Sequence, residues 1–205
     1  MNAYALTTVA RLKAFIGETS TTYDSVLEVI IDSVTDFIEG ECGRRFKKTA
    51  YTDTIVNGLG SSELVLPQWP VVSGETFTLS KRDAGTYGGD NWTALSSSNY
   101  RVDNNAGIVS AVGAFYKGFQ NYKVAYTAGY AFENVTGTLV PLSSVGLSDL
   151  EMVVWKLCNR AFNERKSSGN ISRMKLYNYD VTFSKEAYND DEIKQVLTKY
   201  KRFVV

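Results

Sequence analysis

The chain contains no histidine. That absence removes a His general base, a Ser-His-Asp triad, a Cys-His dyad and His-ligated metal sites, and with them most common hydrolase designs. Cysteine is scarce: Cys42 and Cys158 are the two in the chain. Neither has metal-ligand spacing, and each extends the apolar face of an expected helix. They read as small core residues in a reduced compartment; a disulfide would require the two helix ends to meet. No charge dominates, because 22 Lys plus Arg balance 22 Asp plus Glu. No strong field therefore draws the chain to nucleic acid or to a membrane surface. No apolar run approaches the ~18 residues that span a bilayer, and the N-terminus lacks a basic region followed by an apolar one. The expectation is a soluble product made in the cytoplasm, with no catalytic residue, no metal and no cofactor.

What is present begins with 205 residues, 44% of them hydrophobic. That length suits one domain, or a domain with a large insertion, and it can bury a real core. The most informative run is Thr21 to Phe46. Val26, Leu27, Ile30, Ile31, Val34, Phe37, Ile38 and Cys42 fall at helical spacing and form one apolar stripe. Thr21 with Asp24 reads as a shortened capping box, and Gly43 stands where a C-terminal glycine belongs. Arg44, Arg45, Lys47 and Lys48 follow at the negative end of the helix dipole. About 20 helical residues would span roughly 30 Å. A shorter helix, Thr8 to Ile16, precedes it, with Thr7 as cap and Gly17 as stop, so the two form an αα-hairpin.

From Tyr51 the pattern turns to strands. Tyr51 to Val56 is rich in β-formers, Asn57-Gly58 marks a turn, and Glu63 to Leu66 returns as the partner. Thr76 to Ser80, Tyr100 to Val102, Gly107 to Val109 and Asn121 to Tyr126 read as further strands. Asp83 to Asn99 reads as a long loop anchored by Trp92. The expectation is one antiparallel sheet of about five or six strands. Ser148 to Glu151 reads as a capping box before a helix that carries Leu150, Val153, Val154, Leu157, Ala161 and Phe162 and runs to about Arg165. Lys166 to Asn170 reads as a flexible turn, Met174 to Phe183 as extended chain, and Asn189 to Glu192 as the box opening a last helix. The fold class is α+β: an N-terminal helical hairpin, a small central antiparallel sheet, and C-terminal helices with an extended docking tail. The domain reading is a core over 1–165 and a hinge with a docking arm over 166–205.

These pieces, in this order, resemble the head–tail adaptor, or connector, proteins of tailed bacteriophages. The resemblance rests on Cys42-Gly43-Arg44-Arg45-Phe46 closing a long second helix, on Leu64-Val65-Leu66-Pro67 and Pro70-Val71, and on Val124-Ala125-Tyr126-Thr127-Ala128-Gly129-Tyr130. Val140-Pro141 before the third helix and Tyr200-Lys201-Arg202 at the close add to it. The match is spread over nearly the whole chain; the Asp83 to Asn99 loop and the extension around Phe115 and Tyr116 are longer than the family pattern. The resemblance implies a virion neck protein, assembled in the host cytoplasm. It would form a ring, usually of twelve copies, beneath the portal protein and join capsid to tail. It would receive the downstream stopper or tail protein, and double-stranded DNA would pass through its lumen without sequence-specific binding. It also implies a portal-docking C-terminal segment, carried here by Ile193, Val196, Leu197, Tyr200, Lys201, Arg202 and Phe203.

Each feature has a plainer reading. Arg44, Arg45, Lys47 and Lys48 are either a solvated helix end or, with Phe46, a contact to a neighbouring subunit or to channel DNA; four charges would give only modest, salt-sensitive DNA affinity. The amphipathic last helix either covers the sheet or docks as an arm in a partner groove. The aromatics Trp69, Phe77, Trp92, Tyr100, Phe115, Tyr116, Phe119, Tyr122, Tyr126 and Tyr130 are core and sheet-face residues, or a platform for a sugar or receptor. Rival functions are another neck or tail-completion protein, a carbohydrate-binding module, and an enzyme working with carboxylates alone.

Overall fold

Residues 4–83, 91–132, 139–167 and 191–201 of the chain are described by a computed structural model. They divide into two compact units: a helical one from residues 1–46 with 131–205, and a sheet one from residues 47–130.

In the helical unit the apolar spacing of the sequence becomes the packing. α1 (Val9–Ile16) starts one residue later than expected: Thr8, not Thr7, is the cap, and its hydroxyl accepts from the Arg11 N–H at 3.3 Å. Thr7 is buried instead, and its Oγ1 accepts from Trp155 Nε1 at 3.0 Å. α2 (Asp24–Cys42) buries Leu27, Ile30, Ile31, Val34, Ile38 and Cys42 along the expected stripe. The expected Thr21 cap is a correction: Tyr23 is the N-cap and no side chain caps the helix. Thr21 acts through its backbone carbonyl, which receives the Asp24 N–H at 3.1 Å. At the other end Gly43 takes φ 65°, the left-handed cap that a side chain resists, and the Arg44 N–H closes on the Glu39 carbonyl at 3.2 Å.

α3 (Ser148–Ser167) buries Leu150, Val153, Val154, Leu157, Cys158 and Phe162. The capping box expected at its start does not form. Glu151 reaches out of the helix to accept the Ser143 N–H at 3.1 Å, while its own N–H bonds to the Leu147 carbonyl. A short 3-10 turn, Leu142–Val145, precedes the helix in the stretch expected to be irregular. α4 (Asp191–Tyr200) closes the described part of this unit. α3 continues through Lys166 and Ser167, where the sequence suggests a turn; the readings for 168–190, including the rest of that turn, the extended Met174 to Phe183 and residues Asn189 and Asp190 of the second box, lie outside the described residues.

Among the described residues, the sheet unit holds seven strands in two sheets, where the sequence suggests one sheet of five or six. β1 (Thr49–Gly58), β7 (Gly118–Ala128), β3 (Thr78–Arg82) and β4 (Trp92–Ala94) lie side by side in that order; β2 (Glu63–Val65), β6 (Ile108–Ala111) and β5 (Tyr100–Asp103) form the second sheet. Every pairing is antiparallel. β7 buries Tyr122, Val124, Tyr126 and Ala128 in alternation, and these meet Leu64, Leu66, Leu79, Val109 and Phe115 in one core.

Two strand expectations need correction. Asn57-Gly58 is not a hairpin turn: β1 runs through Gly58 and pairs with β7, while β2 pairs with β6. The glycine is there for close approach, because a Cβ on Gly58 would lie 2.0 Å from the Tyr116 carbonyl oxygen. The turn is made at Gly60, φ 82°. The loop expected from Asp83 to Asn99 includes a strand: β4 pairs with β3, Arg82 opposite Trp92. Trp92 is an anchor, with the Arg82 guanidinium 4.8 Å and the Lys123 ammonium 5.2 Å from its ring centroid.

Candidate functional site

Three places hold the residues that the sequence singles out or that chemistry makes conspicuous: the corner after α2, the helix α4, and one end of the sheet unit.

The corner is built around a buried carboxylate that sequence reasoning missed. Glu39 shares the face of α2 that carries Thr35, Ile38 and Cys42, and only 7% of it is exposed. Its Oε1 accepts the Phe46 N–H at 3.1 Å and its Oε2 the Arg45 guanidinium at 2.9 Å. Burial pushes this carboxyl above its usual range, while the Phe46 N–H and Arg45 pull the other way. Arg45 also lies over the Tyr4 ring, 4.0 Å from its centroid. The signal available in the sequence was position alone: Glu39 follows Thr35 by one helical turn, inside the apolar stripe.

The basic cluster is therefore not a uniform solvated helix end. Arg44 is buried, with its guanidinium 5.0 Å from the centroid of Phe46, and Phe46 is wholly buried. The Phe46 ring packs edge-on against Tyr200 at 5.8 Å, inside its own unit, so it offers no face to a neighbouring subunit. Lys48 is exposed and bonds Glu75 at 2.7 Å, and Lys47 is half-buried where its residue bridges to Tyr130. Arg45, Lys47 and Lys48 are the members with surface to offer.

The stripe on α4 is occupied by its own unit. Ile193, Leu197 and Tyr200 are buried, and Val196 and Lys201 are half-buried. Cys42 Sγ approaches the Leu197 carbonyl at 3.8 Å. Around that apolar contact stand ion pairs of Lys156 with Glu192 at 2.7 Å, Lys199 with Asp149 at 2.6 Å, and Lys201 with Glu41 at 3.2 Å. The Tyr200 hydroxyl donates to Asp149 as well. Burial raises the Asp149 carboxyl, but the bonds from Lys199, Tyr200 and the Leu150 N–H outweigh it and hold it below its ordinary value. Exposed ion pairs contribute about 0–1 kcal/mol each, whereas a buried large apolar side chain contributes about 1.5–3 kcal/mol. The three buried residues hold the helix, and the ion pairs add a smaller share. Arg202 and Phe203 lie outside the described residues.

The third place was visible in the sequence as aromatic content and as the extension around Phe115 and Tyr116. Leu59, Val112, Tyr116 and Phe119 are exposed at 61%, 87%, 78% and 80%. Their backbone is nonetheless fixed. Asn121 Oδ1 accepts the Gly58 N–H at 2.7 Å, Asn57 Oδ1 the Gln120 N–H at 2.7 Å, and the Tyr122 hydroxyl the Tyr116 N–H at 2.9 Å. Asn121 Nδ2 donates to the Tyr116 carbonyl at 2.8 Å, and the Phe115 N–H to the Ser61 carbonyl at 2.8 Å. Beside Val112 and Tyr116 opens a pocket of about 330 Å³, lined also by Lys81, Leu95, Tyr100 and Phe115. Of the other sheet aromatics, Tyr122, Tyr126 and Phe115 are buried in the core, and Tyr51, Phe77 and Tyr100 pack against it.

Cys42 and Cys158 are both buried free thiols. Burial pushes the Cys42 thiol up to about 11 and raises that of Cys158 further. Among the described residues no three Cys, Asp or Glu side chains gather as a metal site, and no helix is long and apolar enough to cross a membrane.

No family model matches the chain, and no curated protein does. Solved structures do. A chain in the neck of an empty GTA particle, computed with C6 symmetry, superposes with a TM-score of 0.54 at 15% identity, over 98% of this chain and 91% of that one. A chain in the virion of a native gene transfer agent (GTA) particle gives 0.52 at 15% identity, with 98% and 91% covered. A third, in the neck of the native GTA particle computed with C12 symmetry, gives 0.50 at 16%, with 99% and 92% covered. The α+β fold, over nearly its whole length, is one found in chains of such particles.

Proposed function

We propose that this chain is a structural neck protein of a tailed phage or a phage-like particle. In this reading it forms a ring under the portal, joins capsid to tail, continues the DNA channel and presents a platform to the stopper or tail protein. It works by assembly, without a reaction of its own. The observation that carries the reading is the fold shared along nearly the full chain with neck chains solved under C6 and C12 symmetry. The order of motifs around Cys42 to Phe46 and Val124 to Tyr130 points the same way.

The geometry refines the roles. Ile193, Leu197 and Tyr200 anchor α4 within its own unit, so portal docking falls to the outer side of that helix and to Lys201, Arg202 and Phe203, with Val196 at the margin. Contacts to neighbouring copies or to the channel, in this reading, involve Arg45, Lys47 and Lys48, while Arg44 and Phe46 shape the corner from inside. Deleting Asn189 to Val205 would strip three buried side chains from the helical unit, so substitution of Arg202 and Phe203 by Ala is the cleaner test of docking.

The deciding experiment is electron microscopy of lysates from a phage lacking this gene, with and without the protein restored. Separate heads and finished tails that rejoin on restoration are expected; normally joined particles without the protein would reject the reading.

A further inference from the structure

Among the described residues, the large apolar side chains left exposed fall on both units. Leu59, Val112, Tyr116 and Phe119 stand at one end of the sheet unit, and Ile55 stands apart from them on β1 at 45%; Phe15 and Met152 lie on the helical unit at 39% and 40% exposure. Phe15 stacks on Trp155, ring centroids 5.2 Å apart, and Met152 stands one helical turn before Trp155 on α3. Single exposed apolar residues are ordinary, but a cluster on a fixed backbone marks a binding surface. The bonds from Asn57, Asn121 and Tyr122 already hold the tip in shape, so docking it orders little that is not ordered.

We infer that the sheet tip of one copy, Leu59, Val112, Tyr116 and Phe119, seats on the Phe15–Met152–Trp155 patch of the next copy. This rests on the ring reading above and names its contact. A closed ring needs two different, complementary patches on every chain, because each interface joins unlike surfaces. This chain carries two such patches. The pocket beside Val112 and Tyr116 gives the tip a hollow as well as its protruding rings. The area argues for a ring over a free dimer. Two aromatics with a leucine and a valine offer on the order of 500 Å², short of the roughly 800 Å² per partner typical of a stable pair. One such contact is weak, and closure of the ring makes it persist. A different protein seated on the tip would leave the helical patch uncovered on every copy.

The test uses particles purified from phage whose full-length protein carries Phe119→Cys with Met152→Cys, or either alone, treated with a short bis-maleimide. The buried native thiols stay silent. A ladder of multimers from the double variant, and none from the single variants, is expected. Dimers from Phe119→Cys alone would mean a tip-to-tip pair and overturn the inference, as would cross-linking of the tip to a different chain. A missing ladder in particles whose neck ring is visible by electron microscopy would overturn the inference and leave the neck reading standing; absence of any ring would overturn both. A second variant, Tyr116→Asp with Phe119→Asp, should melt like the wild type yet fail to enter necks. Normal incorporation of that variant would also overturn it.

Discussion

The corner after α2 and the tip of the sheet unit invert the usual rule in opposite directions. At the corner, charge has gone inside: Glu39 and Arg44 are buried beside Phe46. At the tip, apolar surface has come outside: Val112, Tyr116 and Phe119 are more than three-quarters exposed. Both are tightly bonded, so neither is a loose end. The two places show where each unit directs its interactions. Glu39 is satisfied from within, by a backbone N–H and a guanidinium, and it stabilises its own fold. The tip's backbone is satisfied from within while its side chains are not, and that combination prepares a surface for something else.

The two phenylalanines, Phe46 and Phe119, should differ most. Phe46→Ala should destabilise the protein by about 3–5 kcal/mol, the range for a fully buried ring, while Phe119→Ala should stay within about 0.5 kcal/mol. Denaturant melts of the two variants decide it; equal losses would mean that the tip is core. Next in size, Glu39→Ala should cost about 1–3 kcal/mol by leaving the Phe46 N–H without its acceptor, and Glu39→Gln, which keeps an acceptor, should cost less. Equal stability of Ala and wild type would show that the buried carboxylate contributes nothing net.

A smaller effect should appear on acidification. The Asp149 carboxyl is held below its ordinary value in the folded protein, so its contribution is complete above the unfolded value near 3.8 and disappears as pH falls through the folded one. The melting temperature of the wild type should therefore lose its lead over Asp149→Asn as pH drops from neutral to well below 3.8. A gap that is constant with pH would remove the ion pairs from α4's anchoring. Smallest of all, the native protein at pH 8 should consume almost no thiol reagent, and both cysteines should react once it is unfolded. Rapid labelling of Cys42 would mean that α4 leaves the Leu197 contact readily.

The sequence made the helices legible because their evidence is local. Apolar residues at helical spacing and glycines at Gly17 and Gly43 locate α1 and α2 almost to the residue. It misled where the decisive contact is distant. Asn57-Gly58 has the composition of a hairpin turn, yet its partners are Gln120 and Asn121, far along the chain. Trp92 looked like a loop anchor and became one through a strand that pairs with β3. Exposure was the least legible property. Phe115 and Tyr116 are adjacent and alike in chemistry, yet one is 2% exposed and the other 78%. Glu39 was hidden for the same reason, since a carboxylate on an apolar stripe declares itself only when the N–H it caps is seen.

The sheet unit begins and ends in one place: Lys47 bridges to Tyr130, the Lys48 N–H bonds the Tyr130 carbonyl at 2.9 Å, and Thr49 then pairs with Ala128. An insertion whose two ends are stitched together behaves toward the rest of the chain as a very short loop. The entropy of closing a loop grows with the length left free to wander, and with β1 and β7 paired little of that length counts toward bringing α2 to α3. The helical unit can therefore tolerate growth, shrinkage or exchange of everything beyond that stitch. A tip could be lengthened or re-clothed with new side chains without asking the helices to fold differently.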